Sequence, residues 1–120
     1  MEIHLFNDAN LAPQPKDKIR IEAFSASPYS DGFRVKVNLK LTPFQERPNL
    51  VLVARRDDGF QVSDLDVIAT MHYENEFTMH IRGLDDPVGA YTMTAELYYE
   101  TRDPPQDKSQ IQFEIPSKDP

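Results

Sequence analysis

The chain has 120 residues, of which 39% are hydrophobic and 28% are charged. These values are typical of one globular domain, since domains cluster near about 100 to 150 residues. Thirteen Lys and Arg residues against twenty Asp and Glu residues give a net charge of -7. This balance argues against a nucleic-acid partner, because domains that bind phosphates are usually basic. The chain has no cysteine, which excludes disulfides, thiolate nucleophiles and Cys-ligated metals.

The start of the chain lacks the features of an exported or membrane-anchored protein. No stretch approaches the roughly 18 apolar residues of a membrane span, and the first eight residues lack a basic region and a long apolar core. We therefore expect no membrane insertion and a cytoplasmic location. Residues 1–15 are predicted to be a lead-in segment, in which Ile3, Leu5 and Phe6 alternate like a short extra strand. Residues 16–115 form the predicted domain and 116–120 a polar tail.

Apolar and polar residues alternate with a period of two between clusters of proline. The ten prolines leave no room for long helices, so the alternating stretches predict strands. The predicted strands, in chain order, are 19–23, 33–41, 50–54, 65–71, 77–82, 91–99 and 111–115. Turn-forming residues separate them at 30–32, 57–59, 74–76, 83–89 and 102–105. Seven short strands with such turns predict an all-β, antiparallel Greek-key sandwich without a disulfide.

The segment 84–93 contains the pattern Gly89-x-Tyr91. This pattern resembles the tyrosine corner of immunoglobulin-like and fibronectin-III-like sandwiches. The resemblance implies that residues 16–115 supply strands A to G, and that the Tyr91 hydroxyl bonds back to the preceding loop. It also implies that Met93 takes the place of the second core cysteine of antibody domains, although no Trp fills their strand C position. The resemblance concerns the fold and implies no activity.

The predicted strand 50–54 is apolar on both alternating faces. One set of its side chains enters the core, and the other set, with residues of the strand 91–99, is left on the opposite face. Monomers rarely leave a contiguous apolar patch in water, so we expect a cover. The lead-in is the favoured cover, and a second copy or a different protein are the alternatives. The candidate interface consists of Val51, Val53, Thr94 and Tyr98.

Basic residues recur on the outward positions of the predicted strands A, B and E, which share one sheet in this topology. An ordinary solvated face is the favoured interpretation, with Asp64 and Asp66 of strand D forming cross-strand ion pairs. The alternative is an electropositive surface that docks an acidic partner. The residues of this candidate basic face are Arg20, Arg34, Lys36, Lys40, His80 and Arg82.

Residues with catalytic or metal-binding chemistry are predicted to have structural roles. Ser25, Ser27 and Ser30 are expected in a loop, and no Gly-x-Ser-x-Gly elbow is present. His72 and His80 are expected to be outer-face neighbours on a hairpin that turns at 74–76, with no third ligand for a metal. Loop carboxylates can bind calcium, but here turn formation is favoured. The residues of this candidate loop site are Asp57, Asp58, Asp85 and Asp86.

The sequence as a whole predicts a non-catalytic β-sandwich module for protein–protein interaction or assembly. It predicts no catalytic residue and no cofactor, and the expected partner is another protein or a second copy. The alternative is a ligand-binding module, for carbohydrate or calcium, that uses the loops at one end of the sandwich.

Overall fold

The computed structural model describes residues 12–117. After a short 3-10 helix, Lys16–Lys18, these residues form seven strands. The strands are β1 (Ile21–Pro28), β2 (Arg34–Leu41), β3 (Asn49–Arg56), β4 (Gln61–Val67), β5 (Glu74–His80), β6 (Gly89–Tyr98) and β7 (Asp107–Ile115).

The strands form two antiparallel sheets, one with the order β1-β2-β5 and one with the order β4-β3-β6-β7. The connections from β2 to β3, from β4 to β5 and from β5 to β6 each pass from one sheet to the other. This arrangement confirms the predicted immunoglobulin-like antiparallel sandwich, with strands A, B and E in one sheet. Within residues 12–117 the four edge strands are β1, β5, β4 and β7.

The core lies between the sheets and is built mainly from alternate residues of β2, β3 and β6, whereas the apolar residues of β1 are only half-buried. Each fully buried large apolar side chain contributes roughly 1.5 to 3 kcal/mol to stability. On β3, the side chains that point into the core are those of Leu50, Leu52 and Ala54, each 0% exposed. The alternate side chains of this strand therefore point to its other face. The inward residues of the two longest core strands are Val35, Val37, Leu39 and Leu41 on β2 and Tyr91, Met93, Ala95 and Leu97 on β6.

Several strands differ in their bounds from the predicted ones, and two of the differences change the predicted loops. β1 continues to Pro28 because β2 is long enough to pair with it, so Ser25 and Ser27 lie opposite Asn38 and Lys36 and not in a loop. Residues 74–76 belong to β5, so the hairpin predicted there is wrong. β4 and β5 lie in different sheets, and residues 68–73 cross between them.

The described part of the lead-in lies against the β2–β3 connection. Gln14 forms an isolated parallel bridge with Phe44, and its backbone N–H donates to the carbonyl of Pro43 at 2.9 Å. Ile3, Leu5 and Phe6, which were predicted to form an extra strand, lie outside the described residues.

Candidate functional site

The outer face of the four-stranded sheet brings the predicted interface residues together. Val53 on β3 lies opposite Thr94 on β6, and Val51 lies opposite Glu96 in the next row. Tyr98 lies opposite Asn49 at the end of the same two strands. Residues that face each other in an antiparallel pair point to the same side, so the candidate interface is one continuous surface. We refer to this surface as the outer face.

Val51 is less exposed than predicted. Only 3% of its surface is accessible, although it points away from the core. Arg102 and Glu96 join beside it, with Arg102 Nε 3.2 Å from Glu96 Oε1, and both border the same shallow depression as Val51. Long charged side chains can cover apolar surface with their methylene groups. The apolar stripe is therefore narrower than the alternation predicted, and Val53 and Tyr98 are half-buried.

Charge changes sign across the outer face. One row runs Asp66, Val51, Glu96, Lys108 from β4 to β7. Asp64 lies on β4 one row away, opposite Val53. Among residues 12–117, neither carboxylate of β4 nor the ammonium group of Lys108 forms an ion pair within the chain. The outer face thus has an acidic edge at β4 and a basic group at β7.

An exposed apolar residue stands at the end of the outer face. Ile68 follows β4 directly and is 70% exposed. The loop that carries it is fixed, because the N–H of Ala69 donates to Asn49 Oδ1 at 2.8 Å and the N–H of Thr70 donates to Pro48 O at 2.9 Å. Ala69 has φ 51, a left-handed conformation that is uncommon outside glycine. The prediction of a strand over 65–71 is wrong beyond residue 67, where β4 ends. The exposure of Ile68 was not predicted.

A groove opens at one end of the sandwich, between the β1–β2 loop, the β5–β6 loop and the end of β7. Its volume is about 750 Å³. The Tyr91 hydroxyl donates a hydrogen bond to the carbonyl of Pro87 in the groove wall, which confirms the predicted tyrosine corner. Burial raises the pKa of this hydroxyl above its ordinary value. Gly32 has φ 78, and a Cβ atom there would lie 3.2 Å from Pro87 Cγ, so the two loops pack closely.

The four predicted loop carboxylates lie at this same end, where two of them shape turns. Asp58 Oδ1 accepts a hydrogen bond from the N–H of Phe60 at 2.9 Å, and Asp86 Oδ1 accepts one from Val88 at 3.1 Å. Asp85 and Asp86 line the groove, whereas Asp57 and Asp58 lie in the β3–β4 turn. Within the described part of the chain, no three His, Cys, Asp or Glu residues are grouped to hold a metal ion.

The predicted basic face is not purely basic. Lys40 lies opposite Glu74 and Lys36 opposite Thr78 on β5. Lys36 Nζ is 3.8 Å from Glu76 Oε1. These glutamates were missed because 74–76 was predicted to be a turn. The partners predicted from strand D, Asp64 and Asp66, lie in the other sheet, so that pairing is wrong.

The ends of this face also differ from the prediction. Arg34 Nε is 2.7 Å from Asp31 Oδ2, and hydrogen bonds from the Phe33 N–H and from Arg34 hold the Asp31 pKa below its ordinary value. Arg20 precedes β1 and donates to the carbonyl of Ile19 at 2.8 Å. The N–H of Arg82 donates to Val62 on β4, at the edge between the sheets. His80 ends β5 and His72 precedes it, so they are not neighbours.

No protein-family model and no curated protein matches the sequence. Several solved structures share the fold at low identity. A glycosyl hydrolase family 2 member from Bacteroides cellulosilyticus has a TM-score of 0.58 at 13% identity, over 81% of this chain and 15% of that chain. The β-glucuronidase of Bifidobacterium dentium has a TM-score of 0.56 at 14% identity, over 81% of this chain and 18% of its own. The β-glucuronidase of Lactobacillus rhamnosus has a TM-score of 0.50 at 16% identity, over 82% and 16%.

These similarities establish the fold alone. The chain spans less than a fifth of the length of each of these three solved chains. Among the described residues, no helix has the length and apolar character that a membrane crossing requires.

Proposed function

We propose that the chain is a non-catalytic β-sandwich module that assembles with a second copy of itself through the outer face. The observation that carries this proposal is the in-register row Asp66, Val51, Glu96, Lys108, which places acidic and basic groups at opposite edges of one face. Such a surface can pair with an identical surface when the acidic edge of each copy faces the basic edge of the other. A twofold rotation produces this arrangement in one orientation of its axis.

The favourable orientation has a twofold axis that lies in the interface and runs parallel to the strands. Such an axis places β4 of one copy over β7 of the other, and β3 over β6. The rotation leaves the position of each residue along the strand direction unchanged, so Asp66 of each copy faces Lys108 of the other. An axis across the strands would instead set Asp64 and Asp66 against their own copies, and like charges repel. Electrostatics therefore selects the first orientation.

The size of the face sets the expected affinity. With strands about 4.8 Å apart and about 3.3 Å per residue, the outer face covers roughly 400 Å². Stable complexes bury about 800 Å² on each partner, so we expect a weak and reversible dimer. Ile68 and Tyr98, at one end of the face, add apolar area that enters the contact.

The fold comparisons support a module role. In each of the three similar glycosidase chains the matched portion is a minor part of the whole. In those chains, a sandwich of this fold is therefore one part of a larger protein. A role in association is in line with a sandwich that is part of a larger assembly.

Sedimentation velocity over a wide dilution series tests the proposal. The full chain is expected to shift from monomer to dimer with concentration, and Val53→Glu is expected to abolish the shift. Thr78→Glu is the matched control, because it adds the same charge to the exposed face of the other sheet. The proposal is wrong if the full chain stays monomeric, if the control dissociates it equally, or if dimers form only after removal of residues 1–15.

The loops at the groove end support a second candidate, a ligand-binding module for calcium or carbohydrate. The observation that favours it is the location of Asp57, Asp58, Asp85 and Asp86 at one end. A thermal-shift measurement with Ca²⁺ and with coumarin-3-O-glucuronide, the compound in the Bifidobacterium dentium structure, tests it. A ligand that binds the native state raises the melting temperature, so no shift with either compound removes this candidate.

A further inference from the structure

We infer that the groove at the end of the sandwich binds a short segment of another polypeptide that combines apolar side chains with Lys or Arg. This site is separate from the outer face, because the groove is formed by loops and by the last residues of β7. Its chemistry is set by an apolar wall, an acidic rim and a rigid frame.

The wall of the groove is mostly apolar. Phe33 is 40% exposed, although it is the first apolar residue of the predicted alternating strand 33–41. It lines the groove together with Tyr29, and Ile115, which is 2% exposed, also borders it. Phe33 directly precedes β2, at the end of the β1–β2 loop, and it borders the groove. The remaining apolar lining residues are Pro28, Pro87, Val88 and Pro116.

The rim of the groove is acidic. Asp31, Asp85, Asp86 and Glu114 line it, and among residues 12–117 no Lys or Arg lines the groove. Of these four carboxylates, only that of Asp31 forms an ion pair within the described part of the chain. Its partner is Arg34, which also stacks over the Tyr29 ring at 4.4 Å. The other three carboxylates have no cationic partner among residues 12–117. Complementary charge on a ligand therefore favours Lys or Arg.

The frame of the groove is fixed before any ligand arrives. The Tyr91–Pro87 hydrogen bond holds the β5–β6 loop. Asp31 Oδ1 accepts hydrogen bonds from the N–H groups of Phe33 at 2.9 Å and Arg34 at 3.2 Å, which holds the β1–β2 loop. A preformed site loses little conformational entropy when it binds.

The dimensions of the groove suit a peptide segment. Its volume of about 750 Å³ leaves room for a few side chains, since small-molecule sites have roughly 300 to 1,000 Å³. It runs along the surface between loops and does not enclose its contents, so an extended chain with a few anchoring side chains fits it better than a small molecule.

Selection from a phage-displayed library of random dodecapeptides on the full chain tests this inference. The enriched peptides are expected to contain apolar residues flanked by Lys or Arg. Synthetic, fluorescein-labelled versions are then titrated by fluorescence polarisation. The double variant Asp85→Asn/Glu114→Gln and the single variant Phe33→Ser are each expected to weaken binding by at least about tenfold, and raised salt is expected to weaken it further.

Matched controls separate the groove from its surroundings. Phe60 is 47% exposed in the β3–β4 turn at the same end, and it does not line the groove. Phe60→Ser and Asp57→Asn should therefore leave peptide affinity unchanged. The double variant preserves side-chain shape, so it tests charge even where Phe33→Ser impairs folding. The inference is overturned if no peptide is enriched, if the enriched peptides lack basic residues, or if the control variants weaken binding as much as the groove variants.

Discussion

The hydroxyl of Tyr91 donates a hydrogen bond to the backbone carbonyl of Pro87, four residues earlier in the chain. The ring of Tyr91 is 1% exposed and stacks on Phe113 of β7, with 5.1 Å between ring centroids. One side chain thus ties the β5–β6 loop to the core and to the last strand, and it positions one wall of the groove.

Removing this hydroxyl should destabilise the fold. Tyr91→Phe leaves the half-buried carbonyl of Pro87 without this partner, and we expect a loss of about 1 to 2 kcal/mol in the free energy of unfolding. Urea denaturation measures it. Tyr98→Phe, at a half-buried position on the outer face, is the control and should change stability by less than about 0.5 kcal/mol. Equal losses in both variants would show that the corner does not stabilise the loop.

Two glycines separate a steric requirement from a conformational one. Gly32 and Gly59 have φ 78 and 92, but only Gly32 has atoms near the position of a Cβ, Pro87 Cγ at 3.2 Å and Ile115 Cγ2 at 3.7 Å. Gly59→Ala should cost about 1 to 2 kcal/mol because its backbone is left-handed. Gly32→Ala should cost more, because the β1–β2 loop must also move away from Pro87. Thermal unfolding of both variants measures the two losses of stability. A smaller loss of stability for Gly32→Ala than for Gly59→Ala would contradict the close packing of the two loops.

The loop that displays Ile68 contains a residue in an unfavourable conformation. Ala69 has φ 51, so Ala69→Gly should raise stability by up to about 1 kcal/mol, and thus the melting temperature by a few degrees. Ala90→Gly is the control, because Ala90 lies in a regular part of β6 and its replacement should lower stability. The account of this loop fails if both variants lower the melting temperature equally.

Tyr99 should make stability decline in alkali. Burial, and next the nearby carboxylate of Glu46, raise the Tyr99 pKa from 10.0 to about 12, and its hydroxyl donates to Glu46 O at 2.9 Å. Because the pKa is higher in the folded state, this contribution is complete below about pH 10 and is lost as the pH rises towards 12. Tyr99→Phe should be less stable at neutral pH and should show a shallower decline above pH 10. Parallel pH profiles from denaturant titrations would contradict this assignment.

The alternation in the sequence predicts the core strands well and the edge strands poorly. β2 and β6 are buried on one face along their whole length, so their period of two is clean. Residues 74–76 carry no such signal, because the start of the edge strand β5 exposes Glu74 and Glu76 and only half-buries Asn75. The sheet that each strand joins depends on pairing between distant segments. The separation of β4 from β5 therefore did not follow from local turn residues.

The candidate site was predicted in part, for the same reason. The strands 50–54 and 91–99 pair, which gathers Val51, Val53, Thr94 and Tyr98 as expected. Arg102 borders the same depression as Val51 and comes from the loop after β6, and alternation contains no information about such loops. Ile68 lies just beyond β4 and is followed by Ala69 in a left-handed conformation, for which the residue type Ala gives no signal.

A charge-exchange experiment tests the central claim, the self-complementary outer face, most directly. Asp66→Lys and Lys108→Asp each place like charges opposite each other in the proposed dimer, so each variant alone should sediment as a monomer at low salt. Mixed in equal amounts, the two variants restore both opposite-charge pairs and should form a heterodimer that high salt dissociates. A mixture that stays monomeric at concentrations where the unaltered chain dimerises, or variants that dimerise alone as well as the unaltered chain, would contradict the proposed interface.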